Sequence, residues 1–453
     1  MSAGRTTTNP LLVVLVTVAL TLVTLVVVLP SLPYPLYDSS SDIRIYQYYV
    51  DQIGQGLTPY LDFKIEYPPL ALPLFRFAGA QLPVETFSTR FILEMGLITL
   101  ITGVLVAVTA VFLWPTGRRA YLAGALYALA VALTGAIIVN RYDVAVALIA
   151  AVFLLCLVRG WYVAATIALG IGFALKVTPA ALLPLVLLLA GRPRRWVWPI
   201  AGFAGAALAG FLPYLFVAPR GIWYVFQYHI ERPLQIESVL GTPALLGQAL
   251  GADWVEVGYS HGSWQLIAAG ADLAADLSGV LTFGALVIVY VVLLGRRALL
   301  RAAPEQLPLA VLTLLLALIA FGKVLSPQYF IWILPVLAVV AVRDPLVGAL
   351  GALVLLLTQV EYPALYGRLL DLQRPVVALV AARNLLLLAL FLVSLWRLAA
   401  SRPGAPRPSS AVSVARPALQ SRHGPADTMA VRARRATAKS DVPESSPAPP
   451  LRH

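Results

Sequence analysis

The residues able to do chemistry are gathered in a few short polar clusters between long apolar runs. The first cluster puts Asp42 four residues before Tyr46, and after a Gly/Pro turn adds Asp62-Phe63 and Glu66-Tyr67-Pro68-Pro69. A carboxylate with a tyrosine one helical turn on is a candidate base beside an aromatic wall. The second cluster is Asn140-Arg141-Tyr142-Asp143, where Arg141 and Asp143 stand at the junction of two apolar runs. Ionisable groups so placed pair with each other or bind something. Lysine is scarce, four in the chain, and Lys64, Lys176 and Lys323 fall on the side of the carboxylates; Lys176 has no acid beside it in the sequence. A lone ammonium there is a point charge suited to phosphate. Tyr228 to Ser238 adds His229, Glu231, Arg232, Gln235 and Glu237, and Gly322 to Tyr329 adds Lys323, Ser326, Gln328 and Tyr329.

The elements that position these groups are set by composition. The chain has 453 residues, 60% hydrophobic and only 12% charged, with a mean hydropathy of +0.84. A soluble globular protein carries about twice that charged fraction, so a water-soluble enzyme is excluded. The expected fold is all-α: a polytopic helical membrane protein with about 12 transmembrane helices between residues 10 and 397 and functional loops on the outward face. Several runs, such as 142–158, 161–175 and 177–191, are short for a span, and the Pro-rich stretch 68–82 is expected to lie along the interface. A single cysteine, Cys156, excludes disulfides and Cys-based metal sites. Residues 1–399 form the membrane domain, and 400–453 read as a disordered, basic Pro/Ser/Ala/Arg-rich cytoplasmic tail.

Charge orients the bundle. With the N-terminus inside, twelve Lys/Arg and only two acids of the membrane domain face the cytoplasm, while sixteen acids face outward. Both termini are then cytoplasmic in a plasma-membrane protein, and the long loops 31–87 and 219–275 are extracytoplasmic. Half of the net charge of +12 sits in the tail beside anionic membrane lipids, which argues against a nucleic-acid partner. Cytoplasmic nucleotides do not reach an outward site, and there is no Walker loop or dinucleotide fingerprint. Glu94 and Arg383 lie in the outer halves of spans, and are expected to pair with each other or to line a cavity.

A carboxylate facing phosphate-type donors suits transfer of a group from a lipid phosphate to an alcohol. The phosphate leaves as a stable anion that needs cations rather than a general acid, and one carboxylate suffices to take the acceptor proton. No cofactor or metal is required by this scheme. The set Asp42-x-x-x-Tyr46, Gly56-x-x-Pro59-Tyr60-x-Asp62-Phe63-x-x-Glu66-Tyr67-Pro68-Pro69, Arg141-x-Asp143, Lys176-x-x-Pro179 and Lys323-x-x-Ser326-Pro327-Gln328-Tyr329 resembles the GT-C superfamily of polyprenyl-phosphate-sugar glycosyltransferases. Within it, the set is most similar to glycosyltransferase family 87, the actinobacterial alpha-mannosyltransferase type. The resemblance implies a polyprenyl-phosphate sugar donor, mannose by preference, and a glycolipid, lipoglycan or glycan acceptor at the outer membrane face. It implies a first-loop Asp as base: Asp42, with Asp38 as the alternative. Phosphate contacts carried over are Lys176, His229, Arg232 and Lys323. Tyr46, Glu66, Tyr67, Arg141, Asp143, Glu237, Gln328 and Tyr329 complete the expected substrate-binding set. The competing expectation is a 12-span secondary transporter or lipid-linked sugar flippase, a class marked by internal repeats and mid-membrane charges.

Overall fold

The computed structural model describes residues 7–36 and 41–401. Asp38, the alternative base, and the tail beyond Ser401 lie outside the described residues. In chain order the helices are α1 (Pro10–Val23), α2 (Ile43–Gly54), α3 (Ala71–Phe77), α4 (Val84–Leu113), α5 (Arg119–Thr134), α6 (Ile137–Asn140), α7 (Asp143–Val158), α8 (Tyr162–Leu175) and α9 (Leu183–Ala190). They continue as α10 (Val197–Leu215), α11 (Pro219–Glu231), α12 (Thr242–Ala249), α13 (Ala271–Ala302), α14 (Leu307–Phe321), α15 (Leu334–Ala341), α16 (Pro345–Gln359), α17 (Tyr366–Leu370) and α18 (Arg374–Ala400).

Among the described residues, seven helical segments are long and apolar enough to cross a membrane: Pro10–Ser31, Val84–Leu113, Pro193–Leu215, Ala271–Ala302, Pro304–Phe321, Pro345–Leu370 and Arg374–Ala400. Five shorter apolar segments accompany them: Arg119–Thr134, Asp143–Val158, Tyr162–Leu175, Thr178–Ala190 and Pro327–Ala341. This is a multi-pass helical membrane protein. Four of these short segments share a feature, for each has one end at the turns that carry Arg141, Lys176 or Lys323, and the fifth, Arg119–Thr134, leads to Arg141 through the short α6. The chain leaves helical form early there, and irregular backbone at membrane depth is tolerated where it lines a cavity.

Local sequence accounts for the elements. Asn9 caps α1 by accepting from the Leu11 and Leu12 amides, with Pro10 in the first turn where no amide hydrogen is needed. Thr17 and Thr21 bond back to Val13 and Thr17 carbonyls at 2.8 Å, so polar residues sit inside an apolar helix without orphaned hydroxyls. α8 and α10 meet on small residues: a Cβ added to Gly170 would lie 2.4 Å from the Phe203 carbonyl oxygen. Lipid supplies no hydrophobic force between helices, and such close backbone approach is what holds them. α14 is buried on nearly every side and forms the middle of the bundle, while α1, α10 and α13 turn apolar faces outward.

The loops are also ordered. α2 is amphipathic and buries Ile43, Tyr46, Tyr49 and Val50. α3 occupies the Pro-rich 68–82 stretch. The first turn of α11 presses on the first loop, where a Cβ at Gly221 would meet the Tyr60 carbonyl at 1.9 Å; only glycine fits. The second long loop departs from an all-helical plan. It contains an antiparallel hairpin, β1 (Glu256–Ser260) and β2 (Ser263–Ile267), closed by His261 and Gly262, both with positive φ. That turn matches the strand twist. Residues 234–236 pair with β2 from its other edge through Ile236 N–H to the Trp264 carbonyl at 3.1 Å and Leu266 N–H to the Leu234 carbonyl at 2.8 Å.

Candidate active site

Asp42 occupies the cap position of α2, yet its side chain makes no capping hydrogen bond. An aspartate there normally takes up the free amides of the first turn. Instead its carboxylate turns aside: Tyr46 Oη donates to Oδ2 at 3.3 Å, and the same oxygen lies 3.2 Å from Arg141 Nε, at ion-pair distance. The Asp42 side chain keeps 30% of its surface open, against 4% for Arg141. Arg141 in turn donates through Nη2 to the Tyr362 hydroxyl at 2.6 Å and through Nη1 to the Asn140 carbonyl at 3.2 Å. Asn140 ties the start of the first loop down by donating to the Leu36 carbonyl at 2.7 Å.

Asp143 begins α7, where the helix N-terminus favours a carboxylate. It does not pair with Arg141. Lys176, at the end of α8, lies 2.5 Å from its Oδ1, and the Trp332 indole donates to the same oxygen at 2.7 Å. The Lys176 ammonium sits about equally far from three rings, 5.1 Å from Tyr142 and 4.9 Å from both Tyr329 and Trp332. The expectation of a lysine without an acid partner is therefore corrected: Asp143, thirty-three residues earlier in sequence, neutralises it. Asp143 Oδ2 is buried and has no hydrogen-bond partner.

The second long loop supplies the remaining cations. Arg232 donates through Nη2 to Ser263 Oγ at 2.6 Å and packs on the Tyr228 ring, leaving its buried Nε without a hydrogen-bond partner. Lys323 donates to the Ile230 carbonyl at 2.5 Å, and burial holds its pKa below the usual value against the pull of Asp276. His229 is exposed on the last turn of α11, with protein crowded around it. That crowding, with Arg232 and Lys176 adding repulsion, lowers its pKa to about 4, so near neutral pH it offers hydrogen bonds but no charge. The Glu66 backbone acts in the opposite direction, favouring the protonated ring. The Glu66 carboxyl accepts from Tyr49 and is pushed above the usual range by burial; Asp42 raises it further and Arg232 lowers it. Glu66 thus stands between the carboxylate side of the cleft and the cationic side.

Other expectations divide. Tyr46 and Tyr67 form the aromatic wall beneath Asp42, with Tyr67 5.8 Å from Tyr46 and 5.2 Å from Tyr142. Tyr329 stacks on Trp332 at 4.4 Å, and Gln328 is half-buried next to it. Glu237 is not brought to the cleft. Its side chain is sealed, accepting from Gln235 Nε2 at 2.8 Å and from Tyr366 Oη at 3.4 Å, and it hydrogen-bonds to Glu361. Burial, together with the facing Glu361 carboxyl, raises the Glu237 pKa well above the usual carboxylate range. Arg383 pairs with Glu361 at 3.3 Å, not with Glu94, whose buried Oε2 has no partner. Of the two alternatives for Glu94 and Arg383, pairing with each other is corrected: Glu361 precedes the bend that carries Tyr362 and points inward at Arg383.

Four site residues escape selection by sequence: Tyr49, Tyr142, Trp332 and Tyr362. Signals for them existed. Tyr49 follows Tyr46 by three residues on the buried face of α2, and Trp332 follows Tyr329 by the same step. Among the described residues no three His, Cys, Asp or Glu side chains converge as a metal-ligand set.

Fold and site together define a multi-pass membrane protein with carboxylate, aromatic and cationic side chains gathered at the turns near one end of its helices. No known family profile matches the sequence. Among curated proteins, it is similar to the polyprenol-phosphate-mannose-dependent alpha-(1-2)-phosphatidylinositol mannoside mannosyltransferase of Mycobacterium tuberculosis, with 28% identity over 297 residues. That stretch covers 62% of this chain and 62% of the relative, so the chain spans less than two thirds of the relative's length. Among solved structures, ArnT from Cupriavidus metallidurans aligns at 16% identity over 85% of this chain and 77% of ArnT, with TM-scores of 0.43 in the apo state and 0.45 bound to undecaprenyl phosphate.

Proposed function

We propose that this protein is a membrane glycosyltransferase that moves a sugar, mannose, from a polyprenyl-phosphate donor to a glycolipid, lipoglycan or glycan acceptor by inverting displacement at the outer face of the plasma membrane. The observation that carries the reading is Asp42, which forgoes its capping bonds and keeps its carboxylate open in the cleft. The likeness to a mannosyltransferase supports the donor class. Asp42 takes the proton from the acceptor hydroxyl as that oxygen attacks the anomeric carbon. The bond to the phosphate oxygen breaks, and Arg232 and Lys323 stabilise the departing phosphate while His229 adds a hydrogen bond. Arg141 holds the carboxylate in place. Lys176, already paired, acts through the aromatic wall rather than as a free charge.

The test is direct transfer by protein purified into lipid nanodiscs, with polyprenyl-phosphate mannose as donor and a mannosylated inositol lipid as acceptor. Mass analysis should show the gain of one hexose, and the anomeric signal should be inverted. Asp42→Ala should lower turnover by about 10²- to 10⁴-fold while polyprenyl-phosphate binding stays close to wild type. Wild-type turnover in that variant would remove Asp42 from its role. Vesicle transport with no covalent product would instead favour a transporter.

A further inference from the structure

We propose that Gln235 is a positioning residue that holds Arg232 and Lys323 together as a two-cation wall of the cleft, a proposal that deepens the transferase reading and rests on it. Gln235 is 2% exposed and touches no open surface of the cleft. Its amide is engaged at both ends. Oε1 accepts from the Leu325 amide at 3.0 Å and from Ser326 Oγ at 3.3 Å, while Nε2 donates to Glu237 Oε2 at 2.8 Å. Its own backbone N–H donates to the Lys323 carbonyl at 2.9 Å. Ser238 Oγ adds a bond to the Gly322 carbonyl at 3.1 Å. One residue therefore clasps 322–326, which carries Lys323, against 232–238, which carries Arg232.

The clasp has work to do because the two cations repel. Arg232 helps to lower the proton affinity of Lys323, so each senses the other's charge. Like charges at the end of flexible side chains drift apart unless the backbone beneath them is fixed. Fixed, they form a site prepared for an anion before it arrives. The chemistry demands an amide at position 235. It must accept twice on one side and donate on the other, toward a carboxyl. A carboxylate would have no N–H to give the Glu237 carboxyl, and an apolar side chain would leave the Leu325 amide buried and unpaired.

The experiment compares wild type, Gln235→Met and Ser326→Ala in nanodiscs, using polyprenyl phosphate itself as the binding probe and mannosyl transfer as the activity. For Gln235→Met the dissociation constant for polyprenyl phosphate and the donor KM should both rise about tenfold, the effect of one unpaired buried donor. The kcat and the acceptor KM should stay near wild type. Ser326→Ala removes one of the two bonds to Oε1 and should move the same two constants in the same direction by a smaller factor. This variant decides the matter if Gln235→Met does not fold. Unchanged probe binding in either folded variant, or equal losses in kcat and in both KM values, overturns the positioning role while leaving the transferase reading standing. Absence of polyprenyl-phosphate binding by the wild type overturns the transferase reading, and this proposal with it.

Discussion

In the Glu361–Arg383 pair both side chains are fully buried, whereas in the Asp42–Arg141 pair only the arginine is buried and the carboxylate keeps 30% of its surface open. Arg383 also spends its other donors on protein, with Nη2 on the Glu237 carbonyl at 2.8 Å and Nε on Asn384 Oδ1 at 3.1 Å. Asn384 continues the lattice to the Ser238 carbonyl and Thr242. The cleft is built differently: Asp42 ignores the helix amides beside it and leaves its carboxylate partly open. Buried atoms without a hydrogen-bond partner occur on both sides, Glu361 Oε1 and Glu237 Oε1 as well as Arg232 Nε and Asp143 Oδ2, so exposure is what separates the two pairs. Sealed charges hold elements in place, and a charge left open is one able to meet a substrate.

This contrast can be broken or sharpened by substitution. The largest expected effect is on the sealed side. Arg383→Met leaves Glu361 unpaired in the interior and should cost about 3–5 kcal/mol of stability, measured by thermal unfolding in detergent. The double variant Glu361→Gln/Arg383→Met should recover most of the loss, since an uncharged pair needs no counter-ion. Failure of the double variant to recover would show that the charges themselves are needed. On the open side, Arg141→Met should lower turnover by about 10²-fold, and pairing it with Asp42→Asn should restore no activity. Recovery of turnover in that double variant would make the cleft pair structural, like the sealed one.

The smallest effect is a pH dependence. The His229 pKa is lowered on folding, to about 4 from an unfolded value near 6.5. Above the unfolded value both states are neutral and the imidazole contributes no slope. As pH falls from about 6.5 toward 4 the unfolded chain takes up a proton that the folded chain refuses, so stability declines through that window. His229→Gln should flatten the melting temperature in that range, and an unchanged slope would place the ring in ordinary solvent.

Hydropathy made the bundle legible, because runs such as Ala271–Ala302 and Arg374–Ala400 have no other stable home. Cluster membership was legible too, since Asp42, Arg141, Lys176, Arg232 and Lys323 stand out against an apolar background. Partnership was not. Lys176 finds Asp143 and Arg383 finds Glu361 only once helices are packed, and no local spacing encodes either meeting. The hairpin did carry a local signal, a His-Gly turn between two short alternating runs, which the surrounding helical pattern obscured. Glu237 shows the same limit from the other direction, a donor-rich neighbourhood whose acid faces inward.

The 32 residues of α13 give a rod about 48 Å long, well beyond a hydrocarbon layer of about 30 Å. A rod of that length must lean or stand proud of the lipid, and the thickness of the surrounding bilayer sets how much. One end carries Arg296, Arg297 and Arg301; the other carries Asp276, which pulls on Lys323. A change of tilt in α13 would carry Asp276 with it, so the arginine end of the helix and the surroundings of Lys323 are joined by one continuous element.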